Sequence, residues 1–221
     1  MDKILTDGWT ADQVWAAAVR ASRINNDEYL RNDEWLPDPQ NPEEAKLGRK
    51  ANRYWINEGL TNLWLLEAQD YEDGRQARTY FQKQYTFRVL RQDLNGFEQR
   101  MAKTLGIEQF YPSMSTEYSV IASQIPRWRA SCIEQEILKD AVATPLATVG
   151  ERIQRQVTVA RAVYSEKYNM NFLTGRTNCG HRVMFGYKTK LELGRTYSIQ
   201  GTVKEHRSDC TQLNRVKLFD L

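Results

Sequence analysis

Apolar residues first recur along this chain with a helical period. Val14, Ala17, Ala18 and Ala21 fall on one helical face, and Thr10 followed by Gln13 reads as a capping box, so a helix is predicted to about Arg23. Between Asn25 and Asn41 the residues turn polar, and Pro37, Pro39 and the following Pro42 oppose both helix and sheet, which predicts a surface loop. Pro42 suits a helix start, and the run through Glu67, with Ala45, Leu47, Ala51, Tyr54, Trp55, Leu60, Leu63, Trp64 and Leu66, predicts a helix weakened or kinked at Gly59. Further helices are predicted from Glu72 to Gln92, from Asp93 to Leu105 with Gly106 as the stop, from Ser115 to Ser123, and from Pro126 to Ala141.

The period changes after Thr144-Pro145. Ile153, Val157, Val159 and Val163 occupy odd positions with Gln154, Gln156 and Thr158 between them, the alternation of a strand with one buried face. Tyr164-Ser165-Glu166-Lys167 makes a turn, a second strand covers Tyr168 to Gly175, and Thr177-Asn178-Cys179-Gly180 turns the chain into a third, His181 to Tyr187. A polar link with Gly194 leads to a fourth strand, Thr196 to Glu205. His206-Arg207-Ser208-Asp209 turns into a fifth, Cys210 to Phe219.

At 221 residues and 41% hydrophobic content the chain has room for one large domain or two small ones and is not of disordered composition. No apolar run approaches the ~20 residues of a membrane span, and Met1-Asp2-Lys3-Ile4 does not open a secretory signal. No membrane partner and a cytoplasmic location, host cytoplasm for a viral protein, are therefore expected. Cys132, Cys179 and Cys210 are few, odd in number and scattered, so reduced thiols are expected. The net charge of +3 hides an asymmetry: residues 146–221 hold 13 Lys and Arg against 6 Asp and Glu, whereas residues 1–145 hold 18 against 22. Positive charge concentrated in the strand-rich third favours a polyanion as its partner.

The segments Val157-Thr158-Val159, Thr174 to Gly180, Gly194 to His206 and Gln212 to Leu218 resemble the compact OB domains found at the ends of many bacteriophage replication and recombination proteins. The most specific stretches are Gly201-Thr202-Val203-Lys204-Glu205-His206 and Leu213-Asn214-Arg215-Val216-Lys217. The resemblance covers residues 149–219 only. It implies a five-stranded antiparallel OB-fold β-barrel over 146–221, which with the helices read from periodicity makes an α+β chain of two domains, the first an irregular helical domain over 1–145. The implied binding face lies around strands two and three, flanked by the first and last turns. It places nucleic-acid contacts at Tyr164, Lys167, Tyr168, Phe172, Arg176, Arg182, Phe185, Tyr187, Lys204, His206, Arg207 and Arg215. Bases stack on aromatic faces and cations track phosphates, which gives affinity with little sequence preference. Two features depart from the pattern: Cys179 stands where such domains often carry an acid, and the last turn is short.

Which parity of strands two and three faces outward is open, because Met170 and Phe172 alternate with Asn171 and Leu173. Cys179, His181, His206 and Cys210 are the candidate metal ligands, but C-x-H and H-x₃-C are not the spacings of closed zinc sites, and no metal is expected. Pro37-Asp38 with Glu44-Ala45-Lys46 superficially echoes a nuclease, without acids at neighbouring strand ends. Arg127-Trp128-Arg129 fits either a nucleic acid or a protein interface. No phosphate-cradling loop, nucleophile elbow or dinucleotide fingerprint is present. The expectation is a non-enzymatic, cofactor-free single-stranded DNA-binding protein of phage type, acting in DNA replication, recombination or transcription. Its acidic helical domain would recruit a replication or transcription protein or another copy of itself. The alternatives are a protein-interaction module and an RNA binder.

Overall fold

Trp15 sits at the centre of the first of two compact units, Met1–Arg129 and Ala130–Leu221. The computed structural model describes residues 8–41, 44–91 and 94–219. The first unit contains β1 (Trp9–Thr10), α1 (Ala11–Ile24), β2 (Glu34–Pro37), β3 (Ala45–Arg49), α2 (Asn52–Thr61), α3 (Ala68–Leu90), α4 (Gly96–Leu105) and β4 (Gln109–Phe110), and α5 (Ser115–Leu138) begins in it. The Thr10 and Gln13 capping box is present and starts α1. Val14 to Val19 are all buried, so α1 is covered on every side rather than along one stripe. Its alanines let α3 come close: a Cβ on Gly74 would lie 2.9 Å from the backbone nitrogen of Ala16.

Two helical expectations need correction. Residues 45–49 are not helical; β3 pairs antiparallel with β2, so the proline-rich segment is one arm of a hairpin rather than a loop. Pro37 ends an edge strand, where its missing N–H is tolerated, Gly48 lies against Leu36, and Lys46 pairs with Asp38 at 2.7 Å. Pro42 lies outside the described residues, as do Gln92 and Asp93. The second correction is that Ser115 to Leu138 form one helix with Pro126 inside it. Burial of Ile121, Ile125 and Trp128 around the proline offsets the one backbone hydrogen bond it removes. Among the described residues no helix is long and apolar enough to cross a membrane.

The second unit is built on β5 (Arg152–Ser165), β6 (Met170–Thr177), β7 (Arg182–Tyr187), β8 (Thr196–His206) and β9 (Thr211–Phe219), which close into a barrel in the order β5-β6-β7-β9-β8. The barrel is mixed, not antiparallel as expected, because β7 and β9 run parallel. An odd number of strands cannot alternate direction around a closed ring, so at least one neighbouring pair must run parallel. β5 reaches both partners by its length: its first half pairs with β8 and its second with β6. A bulge between Val159 and Arg161 interrupts the pairing with β6. It buries both Val159 and Ala160 and reverses the parity beyond them, so Val163 is 46% exposed instead of in the core where strict alternation puts it. Val157, Val159, Leu173, Val183, Phe185, Ile199, Val203 and Leu213 fill the interior.

Candidate nucleic-acid interface

Strand alternation decides what β6 and β7 present outward. On β6, Asn171, Leu173, Gly175 and Thr177 are buried, and Met170, Phe172, Thr174 and Arg176 are half-exposed. On β7, Val183 and Phe185 are buried, with Arg182, Met184 and Gly186 on the other face. The ladder then pairs Phe172 with Gly186, Thr174 with Met184, and Arg176 with Arg182. The row from Met170 to Arg176 is about 20 Å long at the usual rise of a strand.

An aromatic cluster occupies one end. The Tyr168 ring meets Phe172 edge to face at 5.7 Å, and Lys167 Nζ stands 5.3 Å from the Tyr168 centroid. Tyr164 and Tyr168 are each 56% exposed, and Tyr164 donates its hydroxyl proton to Asn169 at 2.8 Å, fixing the turn. Asn169 takes a left-handed conformation that ends the short 3₁₀ turn Glu166–Tyr168. Val163 lies opposite Phe172 on the β5 side and extends the apolar platform.

The other end is cationic. Arg176 and Arg182 face one another across an antiparallel ladder, an arrangement that costs energy unless an anion compensates it. Asp209, on the β8–β9 turn, reaches Arg182 at 3.5 Å, while Arg176 has no ion pair among the described residues. The Nε of Arg182 is buried without a hydrogen-bond partner there. Arg161, which the bulge turns onto the Thr174 row, adds a third cation, 56% exposed and 3.7 Å from Glu134.

Other expected contacts fall elsewhere. Phe185 is 1% exposed in the barrel core, so its rings offer no face to a base. Tyr187 shares that inward parity and packs against the same core, half-buried. Lys204 and Arg215 are exposed on the β8–β9 ladder, Arg215 at a left-handed φ of 51°. His206 and Arg207 lie at the turn beside Asp209, His206 Nδ1 at 3.1 Å from Thr211 Oγ1 and Arg207 paired with Glu205 at 3.0 Å. The outward set is thus Lys167, Tyr168, Phe172, Arg176 and Arg182, with Tyr164 exposed beside the first turn, joined by Arg161, Val163 and Met184, which sequence periodicity missed. The only signal for Arg161 and Val163 was the pair of apolar residues Val159-Ala160, one too many for strict alternation.

The remaining motifs are occupied locally. His181 Nδ1 lies 3.0 Å from the Thr144 carbonyl, Cys179 is exposed, and burial together with Asp209 pushes the Cys210 thiol pKa up. Among the described residues no three His, Cys, Asp or Glu side chains gather as a metal-holding group. Trp128 is buried, and Arg129 is taken by Asp27 at 2.9 Å. The chain matches no protein-family model, no curated protein and no solved structure.

Proposed function

We propose that the barrel is an OB-fold and that the protein binds single-stranded DNA, without catalysis, across the outward face of β6 and β7. The observation that carries this reading is the opposed pair Arg176 and Arg182, continued along one row by Phe172 and Tyr168. A phosphate between the guanidiniums relieves their repulsion, and the aromatic end accepts stacked bases. The strand order and the parallel third and fifth strands support the OB assignment, as does the placement of the first and last turns at opposite ends of the row. The resemblance of residues 149–219 to phage replication and recombination domains extends this reading to strand protection during replication, recombination or transcription, with the helical unit as the recruiting part.

The test is fluorescence anisotropy of a labelled single-stranded 20-mer, with the duplex and the RNA of the same sequence, at low and moderate salt. Single-strand binding that weakens with salt, at a slope of roughly 0.7 per phosphate contacted, is the expected result. Equal affinity for duplex, or no binding at low salt, refutes it. Tighter binding to RNA than to DNA reassigns the ligand and keeps the face.

A further inference from the structure

The first unit carries a cleft of about 590 Å³ lined by Arg31, Arg53 and Arg100. Its size falls in the range of small-ligand sites. The three cations come from separate elements: Arg31 from the segment after α1, Arg53 from the first turn of α2, and Arg100 from α4. Among the described residues no carboxylate lines the cleft. None of the three has an ion pair among the described residues, although Arg20, Arg23, Arg49, Arg78, Arg88 and Arg129 in the same unit each hold a carboxylate. Most arginines of this unit hold a carboxylate; among the described residues only Arg31, Arg53, Arg91, Arg100 and Arg127 do not, and three of these line the one cleft.

The first turn of α5, with Ser115 and Thr116, also lines the cleft and adds the positive end of a 24-residue helix. Ser119 donates to the Ser115 carbonyl at 3.0 Å and Ser123 to the Val120 carbonyl at 2.8 Å, so these two hydroxyl protons are already used, and the arginines supply the charge of the lining. Tyr29 and Phe97 stand on the same lining, Phe97 45% exposed. Three arginines lining one cleft, none with an ion pair among the described residues, suit a phosphate, and an exposed aromatic on the same lining suits a base.

We infer that this cleft binds a nucleoside phosphate, the arginines holding the phosphate and Phe97 or Tyr29 stacking on the base. The site shares no residue with the proposed barrel interface and does not depend on it. Free nucleotides and polynucleotide segments share this chemistry.

Calorimetric titration of the full chain with ATP, with inorganic triphosphate and adenosine as separate arms, tests the inference. Saturable ATP binding is expected, at least tenfold weaker in Arg53→Gln/Arg100→Gln and undiminished in the barrel variant Phe172→Ala/Arg176→Gln. Both substituted arginines are exposed, so an unchanged melting curve is expected for the cleft variant. No saturable heat at millimolar ATP, or equal ATP affinity in the cleft variant, overturns the site. Triphosphate binding as tightly as ATP overturns the nucleoside part. If a single-stranded oligonucleotide displaces ATP from the barrel variant, the cleft belongs to a strand; if it does not, the ligand is a free nucleotide.

Discussion

Replacing Phe172 and Phe185 by alanine, one at a time, separates the proposed binding face of the barrel from its core. The two residues stand on adjacent strands with opposite parity, one half-exposed beside Tyr168 and the other 1% exposed among Leu173, Val183 and Leu213. Stacking of one base on an aromatic face is worth ~1–3 kcal/mol, so Phe172→Ala is expected to weaken single-strand binding by about 5- to 150-fold. Because Phe172 already meets solvent and its neighbour Gly186 has no side chain, the stability change should stay near ~1 kcal/mol. Phe185→Ala removes a fully buried ring and leaves a cavity, at about 3–5 kcal/mol, a large part of a typical domain's stability. Anisotropy titrations read the first effect and urea unfolding the second. An affinity for Phe172→Ala within twofold of the parent, in a folded protein, removes the platform from the mechanism. A large stability loss at Phe172 with a purely binding effect at Phe185 shows the parity to be inverted.

Asp209 lies 3.5 Å from Arg182 at an exposed turn, so Asp209→Asn should free the cation and tighten single-strand binding by up to about fivefold at low salt; weaker binding refutes this pairing as a competitor for phosphate. A Cβ on Gly175 would sit 2.5 Å from the Thr158 carbonyl oxygen and 2.6 Å from Val157 Cγ1, so Gly175→Ala should lower barrel stability by about 1–3 kcal/mol in urea unfolding. Thr10→Ala deletes one half of the α1 capping box and should cost about 1 kcal/mol by the same measurement. The Tyr118 hydroxyl is buried and donates to the Tyr111 carbonyl at 2.6 Å, and burial pushes its pKa up to about 12. The folded state therefore keeps a proton that the unfolded chain releases near pH 10, so stability is full below pH 10 and falls as pH rises toward 12. Tyr118→Phe should flatten that part of the urea-midpoint profile.

Within the barrel, the five strands were legible because each is a short apolar alternation closed by Gly, Asn or Asp turns, and such turns act locally. The facing of the strands was not. Parity depends on register, and register passes through the bulge at Val159-Ala160, where one additional buried residue turns Arg161 and Val163 outward. In the helical unit, the capping box at Thr10 was legible for the same local reason. The hairpin of β2 and β3 was not, because its strands are largely exposed and carry no alternation: Ala45, Lys46 and Leu47 are all on the surface. What fixes it is long-range. The buried Asn52 side chain accepts from the Leu30 backbone at 2.7 Å and from Asn25 at 3.0 Å, holding the base of the hairpin where no periodic signal exists. The cleft arginines are invisible to spacing for a related reason. Arg31, Arg53 and Arg100 are far apart in the chain, and only the folding of three elements around α5 makes their lack of partners a shared property. Charge patterns that carry chemistry across a fold are thus set by closure and packing, whereas the turns and caps that permit closure are set by the residues that form them.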